Sequence, residues 1–270
     1  MSRPLVSVFM MAYNHEKYIE QALDSVLMQN VNFDYDIVIG EDCSTDNTRS
    51  ILLSYKAKHP DKIKLLLHKK NIGAAKNQIE VFKNCNGKYI AMLEGDDYWT
   101  DPYKLQKQVD FLENNSQYGF VVHNFDILGN NNIDEGVYKK SINLLLKENN
   151  GFDITKKVYF NAWTTQTVTL LFRSEVLKKF ENKIKEFKYF RDIYLIFFLL
   201  KENNGYFMNF NGAVYRYTEK GIFSSNSKKK KLITNIHISK ELFMYSRDIG
   251  FLKWIFKNLI VLGLEYIRIN

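Results

Sequence analysis

The sequence has few cysteines and few prolines, and these shortages exclude several classes of protein. Its 270 residues include two cysteines, three prolines and thirteen glycines. Two cysteines are too few for a disulfide-rich scaffold or a four-thiolate zinc site, so a reducing compartment is the simpler expectation. So little proline and glycine excludes a collagen-like or linker-dominated chain.

Long apolar runs are also missing from the chain. No stretch approaches the roughly 18 apolar residues that a membrane-spanning helix requires. The N-terminal residues lack the small-residue cleavage site of a signal peptide, so we interpret them as a first strand. We therefore expect a cytoplasmic protein, either free or peripheral on the cytoplasmic face of the inner membrane.

The composition that remains is globular, with an excess of positive charge. Apolar residues make up 46% and charged residues 25% of the chain, which argues against disorder. Thirty-eight Lys and Arg against thirty Asp and Glu give a net charge of +8. This balance favours anionic partners, namely nucleic acid, phosphorylated small molecules or acidic lipid head groups, without choosing among them.

The first hundred residues alternate between strand-like and helix-like patterns. Short apolar runs predict strands, and apolar residues three or four apart predict helices between them. The predicted strands are 5–11, 35–40, 62–68 and 88–93, and the predicted helices are 16–28, 74–83 and two that begin near 48 and 101. This alternation predicts an α/β protein with a mostly parallel sheet and helices on both faces.

The pattern weakens after about residue 125. We predict a loop over 129–150, and we expect a C-terminal helical extension over 221–270. Between them and within the extension we predict strands at 167–172 and 212–217, helices at 174–181, 191–201, 232–248 and 251–267, and a linker at 224–231. The domain boundary is therefore placed at about residue 220.

Polar residues concentrate where three predicted strands end. The chain reads AYNHE at 12–16, EDCSTD at 41–46 and EGDD at 94–97. Right-handed crossovers place the carboxyl ends of parallel strands on one edge of the sheet, so these segments should converge on one cleft. Three acids within four residues repel one another and suit Mg²⁺ or Mn²⁺, which prefer oxygen ligands. The alternative is a solvated turn with a helix-capping acid.

Four sequence blocks, in order, resemble those of family 2 glycosyltransferases with the GT-A fold. They are SVFMMAYNHEKYIEQALDSVLMQ at 7–29, EDCSTDNT at 41–48, NIGAAKNQI at 71–79 and LEGDDYWTDPYKLQKQV at 93–109. The resemblance covers residues 4–217. It implies a GT-A domain over 1–220, with a nucleotide-binding half at 1–125 and an acceptor half at 126–220. It also implies an inverting, metal-dependent transfer of sugar from a nucleotide-diphospho-sugar, in the synthesis of a bacterial capsule or lipopolysaccharide.

The resemblance assigns the acids to the donor and its metal ion. Asp96 would hold Mg²⁺ or Mn²⁺ against the diphosphate, and Asp97 would ligate it directly or through water. Glu94 would contact the ribose or the metal. Asp42 would hydrogen-bond the nucleobase, and an acceptor-only carboxylate suits the imide N–H of uracil or thymine, hence a UDP-sugar or a dTDP-sugar. The alternative for Asp42 is a simple helix cap.

Further donor contacts follow from the same resemblance. They would line the base, the ribose and the diphosphate, and they comprise Ala12, Tyr13, Glu16, Asn71, Gly73, Asn77 and Arg216.

On the acceptor side, Asp192 would be the base that takes the proton of the attacking hydroxyl, with a helix N-cap as the alternative. Trp163 and Thr165 resemble the acceptor segment, where the indole would stack on a sugar. The alternative for Trp163 is a tryptophan buried in the core.

The sequence leaves two other functions open. A sugar-nucleotide-forming nucleotidyltransferase also uses acid-bound Mg²⁺, but it needs a glycine-rich loop after the first strand, where this chain reads AYNHE. A nucleic-acid-binding module would use the net charge, but the predicted cleft is acidic and no nucleic-acid-binding motif occurs. The expected partners are the sugar nucleotide and a glycan or lipid-linked acceptor. The basic, apolar C-terminal helices would contact an anionic membrane, the catalytic domain or a second subunit.

Overall fold

A mixed β-sheet of nine strands, counted over the described residues, forms the centre of the protein. The computed structural model describes residues 3–129, 132–146, 150–184, 187, 191–218 and 226–269. In the N-terminal half the elements are β1 (Val6–Ala12), α1 (Ile19–Leu27), β2 (Tyr35–Glu41), α2 (Thr48–Lys58), β3 (Ile63–Leu67), α3 (Ala74–Asn84), β4 (Tyr89–Glu94), β5 (Tyr98–Trp99) and α4 (Lys104–Asn114). The predicted alternation of strands and helices is confirmed here.

The C-terminal half contains more structure than its sequence pattern indicated. Its elements are β6 (Tyr118–Leu128), α5 (Asn132–Leu146), β7 (Gly151–Ile154), α6 (Lys156–Asn161), a 3-10 turn (Thr167–Thr169), β8 (Leu171–Arg173), α7 (Glu175–Ile184), α8 (Asp192–Glu202), β9 (Asn204–Arg216), α9 (Lys228–Ser246) and α10 (Ile249–Ile269). The helical C-terminal region is confirmed. The domain boundary near residue 220 stays a prediction.

The strand order is β3-β2-β1-β4-β8-β6-β9-β5, and β7 also pairs with β9. The first four strands are parallel, as the sequence predicts, and so are β6 and β9. The pairs β4–β8, β6–β8, β5–β9 and β7–β9 are antiparallel. The parallel part is buried on both faces, because nearly every residue of β1, β2 and β4 is buried, and α3 packs against β1 and β2.

The predicted loop over 129–150 is wrong for its central part, where α5 runs from Asn132 to Leu146. Tyr138, Ile142 and Leu146 are buried and lie four residues apart, so they form one face of a helix. The many Asn residues, which favour turns, concealed this face in the sequence. Residues 130–131 and 147–149 of the predicted loop lie outside the described part.

Two further predictions differ in their bounds. The predicted strand at 167–172 is a 3-10 turn followed by β8, which begins at Leu171. The predicted linker at 224–231 ends early, because α9 already begins at Lys228. Ser227 caps this helix, since its side chain accepts a hydrogen bond from the backbone N–H of Lys230. Residues 224–225 lie outside the described part.

Lys104 is buried beneath the strand that follows the acidic cluster. Its ammonium group lies 3.8 Å from the centre of the Trp99 ring, and burial lowers its pKa well below the usual value. The indole of Trp99 donates a hydrogen bond to the Val168 carbonyl at 2.9 Å. The aromatic ring and the lysine stem thus fix β5, whose first residue directly follows Asp97.

Candidate functional site

Three strand ends meet on one edge of the sheet, as the sequence predicts. β1 lies between β2 and β4, and the register pairs Ala12 with Glu41 and Met11 with Glu94. The segments that follow β2 and β4 therefore flank the end of β1, about 10 Å apart at the spacing of neighbouring strands. This places Asp42 on one side of the β1 end and the acidic cluster on the other.

Arg216, the last residue of β9, holds the acidic turn after β4. Its backbone N–H donates to Asp97 Oδ1 at 2.7 Å, and its Nε donates to the Asp96 carbonyl at 2.9 Å. Its Nη2 donates to Gln21 Oε1 at 2.7 Å, and its guanidinium lies 4.7 Å from the centre of the Tyr18 ring. The predicted donor residue Arg216 therefore lies beside the predicted metal ligands.

The two aspartates of this turn differ in exposure. The Asp96 side chain is 16% exposed, so its carboxylate is open to solvent at the cleft. Asp97 is 1% exposed, and its Oδ2 atom has no hydrogen-bond partner among the described residues. Burial, with the charges of Asp96 and Glu94, raises the Asp97 pKa well above its usual value. Asp96 is therefore the better placed ligand for a cation.

A divalent cation fits this turn only with ligands from outside the protein. In the described part of the chain, no three His, Cys, Asp or Glu side chains form a group able to hold a metal ion. The Oδ2 atom of Asp97 is buried without a hydrogen-bond partner among the described residues, beside the carboxyl groups of Asp96 and Glu94. Mg²⁺ characteristically takes one or two carboxylates and completes its shell with water and substrate phosphates. The residues present fit that pattern.

Asp192 lies near Glu94, although 98 positions separate them in the sequence. Burial, followed by the charges of Asp96 and Asp192, raises the pKa of Glu94 to about 8. Asp192 is the first residue of α8. The Tyr159 hydroxyl donates to the Ile193 carbonyl at 2.9 Å and holds this first turn in place. The structure thus brings the predicted base to the acidic cluster.

The raised pKa of Glu94 predicts how the stability of the metal-free protein depends on pH. The folded state binds a proton that the unfolded state, with the usual pKa of 4.5, has released. This group's contribution is fully present below pH 4.5 and is lost as the pH rises through about 8. The loss is on the order of 5 kcal/mol at most. Chelator-treated protein should therefore melt at lower temperature at pH 8 than at pH 5, with Glu94→Gln reducing the difference.

Glu20→Gln on the exposed face of α1 is the matched control for this measurement, and it should keep the wild-type slope. A Glu94→Gln variant with an unchanged slope of melting temperature against pH would contradict the assignment.

Asp42 organises the loop before α3. Its carboxylate accepts hydrogen bonds from the backbone N–H groups of Ile72 at 2.7 Å and Gly73 at 3.0 Å. Gly73 has φ of +84°, which disfavours other residues there, and its N–H also contacts the Asn71 side chain at 3.0 Å. Asp42, Asn71 and Gly73, predicted separately as donor contacts, are therefore joined by hydrogen bonds at the loop before α3. The side chain of Tyr13, at the end of β1, is exposed and open to a ligand.

Glu16 and Asn77 are engaged within the protein. The Glu16 carboxylate accepts from the backbone and side-chain N–H groups of Asn47, at 3.0 and 3.1 Å. The Asn77 amide is buried, donates to the Gly40 carbonyl at 2.9 Å and contacts His68 Nε2 at 3.0 Å. Asn77 thus fastens α3 to β2. Its predicted place beside the diphosphate stays a prediction.

Trp163 has a half-buried ring on the acceptor side. Its indole N–H donates to the Thr165 carbonyl at 3.0 Å, and its ring packs edge-on against Tyr138 at 5.5 Å. Thr165 is half-buried as well, whereas Thr164 is buried. Trp163 is therefore fixed by the core on one side and partly exposed on the other, which is compatible with both sequence interpretations.

His15 lies in the site and was not predicted. Its Nε2 atom lies 3.9 Å from Asp96 Oδ2, and its buried Nδ1 has no hydrogen-bond partner among the described residues. The ring packs on Gly95, where an added Cβ would come within 2.7 Å of Nδ1. The signal was present in the sequence, since His15 stands in the polar segment after β1.

Comparison with protein families and with curated proteins gives one consistent answer. Residues 7–181 match the profile of glycosyl transferase family 2. WfgD of Escherichia coli, a UDP-Glc:α-D-GlcNAc-diphosphoundecaprenol β-1,3-glucosyltransferase, is 30% identical over 233 residues, which cover 84% of this chain and 83% of WfgD. TuaG of Bacillus subtilis, a putative teichuronic acid biosynthesis glycosyltransferase, is 39% identical over 41% of this chain and 42% of its own length.

Other relatives are matched over smaller parts. An uncharacterised protein of Mycobacterium tuberculosis is 39% identical over 118 residues, 44% of this chain, so the match spans only 34% of that protein. Among solved structures, S. aureus TarS with UDP-GlcNAc has a TM-score of 0.64 at 20% identity, over 88% of this chain and 66% of that chain. A mannosyltransferase of Pyrobaculum calidifontis, solved with GDP-Man and Mn²⁺, has a TM-score of 0.60 at 17% identity, over 98% and 71%. These likenesses concern the fold.

Proposed function

The chain belongs to glycosyl transferase family 2 and has the GT-A fold, and on that premise we propose that it is a nucleotide-sugar-dependent glycosyltransferase. It would transfer a sugar from a nucleotide-diphospho-sugar, most simply a UDP-sugar, to a hydroxyl group of a glycan or a lipid-linked acceptor. The product would belong to a bacterial cell-surface polysaccharide, and the reaction would take place in the cytoplasm. Residues 1–220 would form the catalytic domain and residues 221–270 an extension to it.

One observation carries the proposal: Arg216 hydrogen-bonds to the turn that contains Asp96 and Asp97, which follows Glu94 and lies close to Asp192. Carboxylates that face a cleft beside a guanidinium suit a substrate that is anionic and is bound together with a cation. They do not suit a nucleic acid, whose phosphates would meet an acidic surface.

The donor would lie across the ends of β2, β1 and β4. Asp42 would accept a hydrogen bond from the imide N–H of a pyrimidine, because each of its oxygens retains a lone pair beyond its backbone contact. Tyr13 offers an exposed ring for stacking on the base. Arg216 and the Asn71–Gly73 loop would face the diphosphate. The names of WfgD and of the TarS structure mention UDP-linked sugars, which supports a uridine donor.

Asp96, assisted by Asp97, would hold Mg²⁺ or Mn²⁺ at the diphosphate. When bound, the cation neutralises the charge that grows on the departing diphosphate. Arg216, held in place by Gln21 and the ring of Tyr18, would supply a second positive charge that is fixed in advance.

Asp192 would act as the base of a single displacement with inversion. The acceptor oxygen bonds to the anomeric carbon, the bond from that carbon to the diphosphate oxygen breaks, and the hydroxyl proton passes to Asp192. The Tyr159 hydroxyl holds the first turn of α8, so the backbone that carries the Asp192 carboxylate is fixed in position. Trp163 would stack on the acceptor sugar, with Thr165 beside it.

Calorimetry with free nucleotides tests the proposed donor site. We expect UDP to bind in the presence of Mn²⁺, to bind at least tenfold more weakly with chelator, and to bind more tightly than CDP, because the ring N3 of cytosine, unlike the uracil imide, carries no proton to donate to Asp42. Asp42→Asn should reduce the preference for UDP, and the exposed Asp110→Asn on α4 serves as the control. Failure of UDP, dTDP and GDP alike to bind with Mn²⁺ present would contradict the proposal.

A further inference from the structure

The outward face of α10 is apolar, and no described residue covers it. Ile249, Phe256, Ile260 and Leu264 are between 57% and 67% exposed. With Leu259, Lys253 and Lys257 they occupy about half of the helix circumference, at 100° per residue. An exposed apolar patch of this length marks an interaction site rather than a free surface.

The inward face of α10 is also apolar and accounts for the packing of the helix. Phe251 is fully buried and contacts the rings of Phe160 and Phe197, each at 4.9 Å. The Trp254 indole donates to the Phe160 carbonyl at 3.0 Å. Because the inward residues alone make these contacts with the core, the outward apolar residues are not required to pack α10 against the protein. None of the described helices, α10 included, combines the length and apolarity that a membrane crossing needs.

The exposed charged residues of α9 and of α10 as far as residue 264 are all basic. The exposed residues of α10 include Lys253 and Lys257, and those of the adjacent α9 include a basic series, namely Lys228, Lys229, Lys230 and Lys240, followed by Arg247 at its C-cap. No exposed residue between 226 and 264 is acidic. The two acids in this range are turned to other contacts: Glu241 accepts from the Tyr194 hydroxyl, and Asp248 caps the N–H of Gly250 at 3.0 Å.

We propose that α9 and α10, with their outward residues Lys253, Phe256, Lys257 and Ile260 at the contact, dock the protein on the surface of an anionic lipid bilayer. The apolar side chains enter the boundary between head groups and acyl chains, while the lysines contact lipid phosphates. A second copy of the chain fits less well, because a two-fold interface sets the same face against itself and brings lysine against lysine without any acid.

The docking surface is joined to the catalytic helix. The Tyr194 hydroxyl on α8 donates to Glu241 on α9, and Phe197 on α8 packs against Phe251 on α10. Since α8 begins at Asp192, a bilayer under α9 and α10 would support the helix that carries the proposed base. This inference deepens the proposed function and rests on it: it identifies the acceptor as one presented at a membrane surface.

Vesicle co-sedimentation of the full chain, without nucleotide or acceptor, tests the proposal. We expect binding to vesicles of phosphatidylcholine mixed with phosphatidylglycerol, much weaker binding to phosphatidylcholine alone, and a decrease with added salt. Lys253→Glu with Lys257→Glu should weaken binding roughly tenfold or more. Phe256→Ser with Ile260→Ser should weaken it roughly a hundredfold. Leu53→Ser, an exposed apolar change on α2, and Lys178→Glu on α7 are the matched controls.

The results with the two double variants and the two controls either support or overturn membrane docking. Loss of binding in both double variants but in neither control supports the proposal. Absence of binding to either vesicle, equal binding to both, or a concentration-dependent dimer that Phe256→Ser with Ile260→Ser dissolves would overturn it. Because the assay contains no donor, its failure leaves UDP binding with Mn²⁺ unchanged, and so is distinguishable from failure of the proposed function.

Discussion

Asp96→Ala should abolish sugar transfer, with a loss of roughly a thousandfold or more in kcat and an intact fold. The Asp96 carboxylate is the solvent-exposed one in a turn held by Arg216 and is the proposed cation ligand, so its removal would take away the anchor for the cation at the diphosphate. The fold should survive, because the Asp96 side chain lies at the cleft, whereas the contact with Arg216 uses its backbone carbonyl. The measurement is turnover of a purified nucleotide-sugar and acceptor, beside a melting curve.

Two comparisons make this result specific. Asp110→Asn removes an exposed acid on α4 and should retain full turnover. The Asp96→Ala variant should still bind UDP weakly, and added Mn²⁺ should not strengthen this binding. An unfolded variant would not bind UDP at all. Undiminished turnover in Asp96→Ala would mean that the acidic turn is not the place where the diphosphate leaves.

Asp192→Asn should lower kcat by roughly a hundredfold to ten-thousandfold while donor binding stays near its original strength. An amide cannot take the proton of the acceptor hydroxyl, so the chemical step slows, whereas the donor is held by other residues. Asp192 is the first residue of α8 and not its N-cap, so the change removes one favourable charge from the first turn at a cost of about 1 kcal/mol or less, and α8 should persist. Turnover, calorimetry with UDP and the pH profile of kcat are the measurements.

The pH profile distinguishes the base from a structural acid. If Asp192 is the base, the acidic limb of the profile disappears in Asp192→Asn. If Asp192 only begins α8, kcat changes little and the limb remains. Glu175→Gln, at the exposed start of α7, is the matched control and should change neither quantity.

The N-terminal half was predictable because its signals are local. β1, β2 and β4 are short apolar runs, and α1 repeats its buried residues Ile19, Leu23 and Val26 at helical spacing. Parallel strands then force the polar segments that follow them to one edge of the sheet. The convergence of the segments after β1, β2 and β4 follows from this rule alone.

The C-terminal half and several contacts of the site could not be predicted, because they depend on residues that are far apart in the sequence. The buried face of α5 lies in a stretch rich in asparagine, and β6 and β7 find their partners in β9, far along the chain. Asn77 stands in the NIGAAKNQI block, and no local pattern there indicates that its amide donates to the Gly40 carbonyl on β2. His15 reaches Asp96 only because Gly95 leaves room for its ring.

The most direct test of the proposed donor site is a crystal structure with UDP and Mn²⁺, in which the anomalous signal of manganese locates the ion. We expect one strong peak at the Asp96 carboxylate, with the diphosphate against it, the uracil beside Asp42, and Asp192 facing the space left for the acceptor. A manganese peak distant from the acidic turn, or a nucleotide bound where Asp42, Asp96 and Asp192 take no part, would contradict it.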